Sequence, residues 1–370
     1  MSRLHDFLPQ HHAFRTHVRS FVEHELRPLG AKWEKQRHFP VSIFRECARQ
    51  KLISLDRERN GIIAEELPKS ESLGFALSLF VQANLVAPML DELGSAAQKK
   101  SFLSPLLRGE KLGAVAVSEP SAGSDFAALQ TEARKTRAGW RLNGTKTYIT
   151  NAAIADFLIV AARTDPVQGL QGMSLFLVPA SNKSVSIKRL AMLGLDTSAA
   201  GQITLTNCEI PASNMLGERG QAFAYVQSGL NRERLFGGLA CVSWAQYSLD
   251  KTVRYLQGRS AFGSTLNRFQ AIRHQIADLH TRLQAARQLN YRAFRGWLRG
   301  ENVTKEICMI KLFSYQTAQA VVESCLQLHG GVGYMDRHWC SRFYRDARAL
   351  TIAAGTPEIM KEMIAVFLRI

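Results

Sequence analysis

The segment GLNRERLFGG carries one carboxylate in a setting that suits a base. Phe223, Val226, Leu230, Glu233, Gly237, Ala240 and Trp244 recur at alternating intervals of three and four residues, the repeat of one buried face of a helix. Glu233 is the one acid on that stripe. Glutamates are seldom buried unless paired or functional. Partial burial raises the pKa toward neutrality, where a carboxylate can take a proton from a substrate. Gly237, one turn further, leaves space for a ligand to approach. The same acid could instead pair with Arg232 or Arg234 of another subunit, or face solvent if the helix is rotated. The turn SAGS offers different chemistry: with no side chain at Gly123, backbone N–H groups there and at Ser124 can approach phosphate oxygens. Alone, it reads more readily as a plain turn. Six cysteines (Cys47, Cys208, Cys241, Cys308, Cys325, Cys340) form no C-x-x-C pair and have no paired histidines. They argue against a zinc site or a disulfide framework, and they fit a reducing cytoplasm.

Three regions must position these groups. Residues 1–112 read as helices: Phe14, Val18, Phe21, Val22 and Leu26 share one face, and Ser42–Leu52, Leu73–Leu90 and Ser95–Arg108 repeat the pattern. Residues 113–216 hold short β-rich runs (GWRLNGTKTYITN, DFLIVAART, GMSLFLVPA, GQITLTNCEIP) bounded by Gly, Asn and Pro, which predict a small antiparallel barrel or sandwich. Residues 217–370 return to long amphipathic helices, with no strands expected. The fold class is therefore α+β and multi-domain. No strand–Gly-loop–helix unit marks a Rossmann site. The opening MSRLHDFLPQHH has no signal-peptide h-region. The most apolar stretch, taken as Ala152–Ala162, is too short to span a bilayer. The formal charge of +16 calls for anionic partners; Lys and Arg are spread without a nucleic-acid motif.

Three segments carry a resemblance to a known family. AVAVSEPSAGSDFAAL (114–129), RSAFGSTLNRFQAIRHQIADL, and CLQLHGGVGY with RFYRDARALTIAAGTPEI resemble, in order and spacing, signatures of acyl-CoA dehydrogenases. The resemblance implies a helical N-terminal domain, a β middle domain, a C-terminal four-helix bundle and a homodimer or homotetramer. It also implies FAD as cofactor. Val117 and Ser118 would lie along the pyrimidine edge of the flavin, with Tyr148 and Thr150 by the ring and its N5. Gly123 and Ser124 would sit near the cofactor, and Ser124 near substrate as well. Arg259, Phe262, Gln270, Gln327, Gly330 and Gly331 match positions that touch the FAD of a neighbouring subunit, and Thr356 and Glu358 match its adenosine phosphate end. Ala261 stands where many relatives carry a hydroxyl.

Most of that family places its base immediately before the Gly-Thr of the last signature. This chain reads IAAGT, so the position is Ala354, which cannot take a proton. A minority supplies the base from a C-terminal-domain helix, and the matching residue is Glu233. The reaction implied is α,β-dehydrogenation of an acyl thioester, the α proton going to Glu233 and the β hydride to flavin N5. By resemblance Arg234 helps hold the pantetheine arm and Asn231 faces it. Coenzyme A and an acidic acyl or peptidyl carrier protein are both open as the thiol. RNGIIAEELPKSES looks short of a Gly-rich loop common in relatives, and Arg292, Arg295 and Arg299 share one helical face. An electron-transfer flavoprotein is the family's electron acceptor. A reductase, an oxidase or monooxygenase, and a silent thioester-binding protein are the alternatives.

Overall fold

The computed structural model describes residues 9–165 and 169–370; the opening MSRLHDFL, read for a targeting segment, lies outside them. The first helix, Pro9–Phe21, passes through a π-helical turn at Val22–Leu26 and continues as Arg27–Gln36. It buries Val18, Phe21, Val22 and Leu26.

One helix, Arg57–Glu66, overlaps the segment RNGIIAEELPKSES, read as short of a Gly-rich loop. It shows no amphipathic stripe because Asn60 through Glu66 are all buried. Asp56 caps it by accepting from the N–H groups of Glu58 and Arg59. Its two terminal acids are compensated inside the protein. Arg15 lies 2.7 Å from Glu65 and 2.9 Å from Glu66, and Arg19 and Lys69 also reach Glu66, at 2.9 and 2.6 Å. The Tyr291 hydroxyl donates to Glu65 at 2.6 Å, tying this helix to the C-terminal domain.

The run Leu73–Leu93 is longer and more apolar than the stretch named above, and is long and apolar enough to cross a membrane. It is nevertheless 89% buried inside the protein, as a core helix is.

The middle region is one eight-stranded sheet, ordered β6-β7-β3-β2-β4-β5-β8, with β1 beside β4. The strands are β1 (Gly113–Ala116), β2 (Glu132–Lys135), β3 (Gly139–Ile149), β4 (Phe157–Arg163), β5 (Met173–Pro179), β6 (Val185–Arg189), β7 (Gly201–Pro211) and β8 (Met215–Leu216). The pairing is mixed, where an antiparallel set was expected: β1 runs parallel to β4, with Gly113 opposite Phe157. Leu142, Leu158, Val160, Phe176, Ile203 and Ile210 gather on one face of the sheet. Ile159, Ala161, Leu175 and Leu177 face the helical core instead. Strands covered on both faces read as unbroken apolar runs, as FLIVAA does.

The C-terminal region is built on three long helices, Ala222–Gly258, Gln270–Leu298 and Thr304–His329. The shorter Trp339–Leu350 and Pro357–Leu368 pack against the third and stand where one fourth helix was expected. Strands are not absent here: Ser260–Ala261 and Ser264–Thr265 form a small hairpin. A buried link joins all three regions. The Glu34 carboxylate accepts from the hydroxyls of Ser72 (2.5 Å) and Thr197 (2.7 Å), and Asp346 accepts from the Leu195 N–H at 2.6 Å.

Burial alone would raise the Glu66 pKa, but hydrogen bonds from Arg19 and the Lys69 charge pull it down to about 2. A depressed carboxylate stabilises the fold above its unfolded-state pKa, and that contribution is lost as pH falls toward the folded-state value. Glu66→Gln leaves Arg19 and Lys69 without their buried counter-charge and Arg15 with Glu65 alone. It should cost about 3–5 kcal/mol at pH 7, read by chemical denaturation. The gap from the wild type should close as pH drops from about 4.3 toward 2.

Candidate active site

The helix Ala222–Gly258 brings Glu233, Gly237, Ala240, Cys241 and Trp244 to one wall of an apolar cavity. Ala64, Leu67 and Pro68 close it from one side, and Leu73, Ala76, Leu77 and Phe80 from another. Thr150 and Leu195 come from the sheet region, and Leu350, Ala353 and Ala354 from the end of the helix Trp339–Leu350 and the turn after it. Every region of the chain thus contributes to one space. Glu233 lines it, and among the described residues no hydrogen-bond donor pairs with its carboxylate. Burial pushes its pKa up, opposed by the charges of Lys311 and then Arg234. Lys311 lines the same cavity. Its ammonium donates to Leu350 O and lies 3.8 Å from the centre of the Tyr315 ring. Burial pulls the Lys311 pKa down to about 8, against the opposing charge of Glu233.

Gly237 lines the cavity, but the space left by its missing side chain is shared with Tyr315. A Cβ built there would meet the Tyr315 hydroxyl at 2.0 Å, so the missing side chain admits Tyr315. Arg234 also differs from its expected role. It is 2% exposed, its Nε donates to Ala354 O at 2.8 Å, and a guanidinium nitrogen donates to Asn231 Oδ1 at 3.0 Å. Arg234 therefore braces the turn at Ala354, whose backbone is left-handed at φ 57°. Asn231 is a partner in that brace.

A second group of residues forms a ledge beside Thr150. β1 ends at Ala116, and Val117 and Ser118 lead into a turn closed by the Glu119 and Ala122 backbones. Lys146 of β3 locks it: its ammonium donates to Val117 O at 2.9 Å and to Glu119 Oε1 at 2.8 Å. Glu119 also accepts from the N–H groups of Gln130 and Thr131. Burial raises the Glu119 pKa, but Lys146 overcomes it and holds the carboxyl below its ordinary value. Thr147 N–H donates to Ser118 O at 2.8 Å.

One residue on, Tyr148 is left-handed at φ 60° beside a register shift in β3, and its ring is 66% exposed. A bulky residue in that conformation is an outlier that structure must impose. Here the kink carries the Tyr148 ring outward while Thr150 reaches the cavity. Gly123 and Ser124 are exposed, and a Cβ built on Gly123 meets nothing within 4 Å. This open cradle and the displaced aromatic ring fit a flavin at Val117, Ser118, Tyr148 and Thr150.

The remaining positions expected at a cofactor lie elsewhere. Arg259 follows the last residue of the helix that carries Glu233, about 38 Å along its axis. Phe262 is 96% exposed at the tip of the small hairpin. Gln270, Gln327, Gly330 and Gly331 are exposed, with open space at both glycines. None of these six lines the cavity of its own chain. Thr356 caps the helix Pro357–Leu368 by accepting from Ile359 N–H, and the Glu358 carboxyl, also exposed, is held below its ordinary value by backbone N–H and the Thr356 hydroxyl.

Sequence reading missed Glu119, Lys146, Lys311 and Tyr315. Two of them carried a signal. Lys146 continues the period-2 face of Trp140 and Leu142, and Lys311 stands between Ile307, Ala318 and Val322 at helical spacing.

Comparison with known proteins gives a consistent result. Residues 9–110, 114–208 and 220–368 match, in that order, the acyl-CoA dehydrogenase N-terminal, middle and C-terminal domains. The chain is 35% identical over 372 residues to the mitochondrial short-chain specific acyl-CoA dehydrogenase of Rattus norvegicus, covering 97% of this chain and 90% of that one. It is 33% identical over 374 residues to a 3-(aryl)acrylate reductase of Clostridium sporogenes, covering 97% and 98%. The solved structure of an acyl-CoA dehydrogenase from Geobacillus kaustophilus is similar at TM-score 0.93 and 31% identity, covering 99% of this chain and 100% of that one. The prolyl acyl carrier protein oxidase AnaB is similar at TM-score 0.92 and 26% identity, covering 98% and 100%.

Lys146→Met leaves Glu119 buried without its cation, at a cost of about 3–5 kcal/mol, and frees the Val117–Glu119 ledge. The variant should lose most of its flavin on gel filtration, measured as absorbance per chain. Full flavin retention with unchanged stability would show that the ledge does not depend on this pair.

Proposed function

Because the chain belongs to the acyl-CoA dehydrogenase family, we propose that it dehydrogenates an acyl thioester between the α and β carbons with Glu233 as the base. The observation that carries this reading is a carboxylate without a bonded partner on the wall of an apolar cavity that Ala354 also lines.

Abstracting a weakly acidic C–H proton asks for a carboxylate that is ionised but poorly solvated. Hydrocarbon walls raise the proton affinity of Glu233, and the charges of Lys311 and Arg234 limit the rise. Leu67, Leu73, Ala76 and Phe80 hold the acyl chain and keep water from the base. FAD, which enzymes of this family bind, supplies the two-electron acceptor for the departing hydride. Val117, Ser118, Tyr148 and Thr150 would hold its ring, and Gly123 and Ser124 its neighbourhood.

Arg259, Phe262, Gln270, Gln327, Gly330 and Gly331 do not line this cavity and are exposed on the surface of their own chain. They are assigned to the FAD of a partner in a homodimer or homotetramer, with Thr356 and Glu358 near the nucleotide phosphates. Coenzyme A or a carrier protein presents the acyl group. The +16 charge and the exposed Arg292 and Arg299 would attract an acidic carrier, and AnaB acts on one. Electrons pass on to an electron-transfer flavoprotein in the cytoplasm, a compartment in keeping with six free, buried thiols.

A second reading keeps the site and reverses the direction. The C. sporogenes relative is a reductase, and a protonated Glu233 could return the proton to an enoyl thioester.

Anaerobic mixing of the yellow protein with acyl thioesters tests the base. Glu233→Gln should slow flavin bleaching by about 10²–10⁴-fold; bleaching at the wild-type rate would remove Glu233 from the mechanism. The wild-type rate should rise with pH through a midpoint above the ordinary carboxylate range. Ala354→Glu in the Glu233→Gln background places a carboxylate back on the same cavity and should restore part of the rate. Re-oxidation of reduced enzyme by an enoyl thioester, without bleaching by the saturated one, would select the reductase.

A further inference from the structure

We propose that the Tyr315 hydroxyl is a specificity-determining donor of the acyl pocket, which recognises an oxygen on the acyl chain a few carbons beyond the α carbon. This rests on the reading that Glu233 faces the α carbon.

Tyr315 stands on the helix Thr304–His329 and reaches the helix Ala222–Gly258 at Gly237, where any side chain would collide with its hydroxyl. It is 7% exposed and lines the cavity. Its one hydrogen bond is to Arg234 O at 3.4 Å, well beyond the usual O–H···O length of about 2.7–2.8 Å. That carbonyl lies inside a helix, where the N–H four residues on also calls on it. A buried tyrosine hydroxyl normally finds a good acceptor; this one keeps most of its donor capacity on a hydrocarbon-walled space.

The Lys311 ammonium lies 3.8 Å from the ring centre and holds the phenol in place from its face. Among the described residues the ammonium has no carboxylate within ion-pair distance. The Lys311 charge is balanced across the cavity by the Glu233 carboxylate, so what this part of the wall adds is a hydrogen-bond donor. It suits a carbonyl or hydroxyl oxygen. Gly237 lies one turn, about 6 Å along the axis, from Glu233, so the oxygen it meets lies along the chain and not at the reacting carbons.

The test compares the wild type with Tyr315→Phe and Tyr315→Ala by anaerobic flavin bleaching. Acyl thioesters carrying a ketone at carbon 4, 5 or 6 are set against unsubstituted chains of equal length. All are presented on coenzyme A or on a carrier protein, whichever bleaches the wild type. The wild type should favour one of the oxo-acyl groups, and Tyr315→Phe should lower that oxo-to-plain rate ratio about tenfold. An unchanged ratio in Tyr315→Phe overturns the proposal. So does a ratio that shifts only in Tyr315→Ala, since the ring would then merely fill space. If no thioester bleaches the wild type, the dehydrogenase reading itself fails, and this inference with it.

Discussion

The structure is organised around the cost of keeping one carboxylate among hydrocarbon. An isolated anion in such surroundings protonates unless opposite charge limits the penalty. Among the described residues Glu233 has no hydrogen-bond donor to do so, only the Lys311 and Arg234 charges. Both cations are themselves fixed by backbone carbonyls, Lys311 on Leu350 and Arg234 on Ala354. Glu233, its counter-charges and the turn before Gly355 therefore form one mechanical unit. The turn at Ala354 steadies the helix that carries Glu233.

The cavity exists because distant segments are kept in place by buried polar links. The Glu65–Glu66 cluster sets the helix whose Ala64 lines one wall, and it anchors Leu67 and Pro68 just beyond. The Asp346 contact holds Leu195 on another side. On the sheet, Lys146 and Glu119 do the same for the ledge that fits the flavin. Each is an ion or hydrogen-bond group with few alternatives once water is excluded, so each fixes position more than it adds net stability.

Much of this was legible in the chain. The helical stripe through Glu233 was legible as one face, and its residues from Glu233 to Trp244 do share one cavity wall; the β-rich runs marked the sheet. The Arg57–Glu66 helix was not readable as one, since a segment buried on every side loses the periodicity that betrays a helix. Gly237 was read as room for ligand because helix register decides what fills it, and the tyrosine that does so stands 78 positions later. Arg234 could be placed on a motif but not in space. Its choice of Ala354 O over a substrate depends on a turn whose left-handed residue is an alanine, which propensity would not select.

The six sulfur atoms carry a practical corollary. All are buried, and burial pushes the Cys241 and Cys325 thiols up to about 12 and the other four upward as well. At neutral pH the reactive anion of either is about one part in 10⁵, so alkylating reagents should find almost nothing to attack while the core stays shut. Labelling of these side chains then becomes a clock for opening of the protein, with each sulfur timing the exposure of its own neighbourhood.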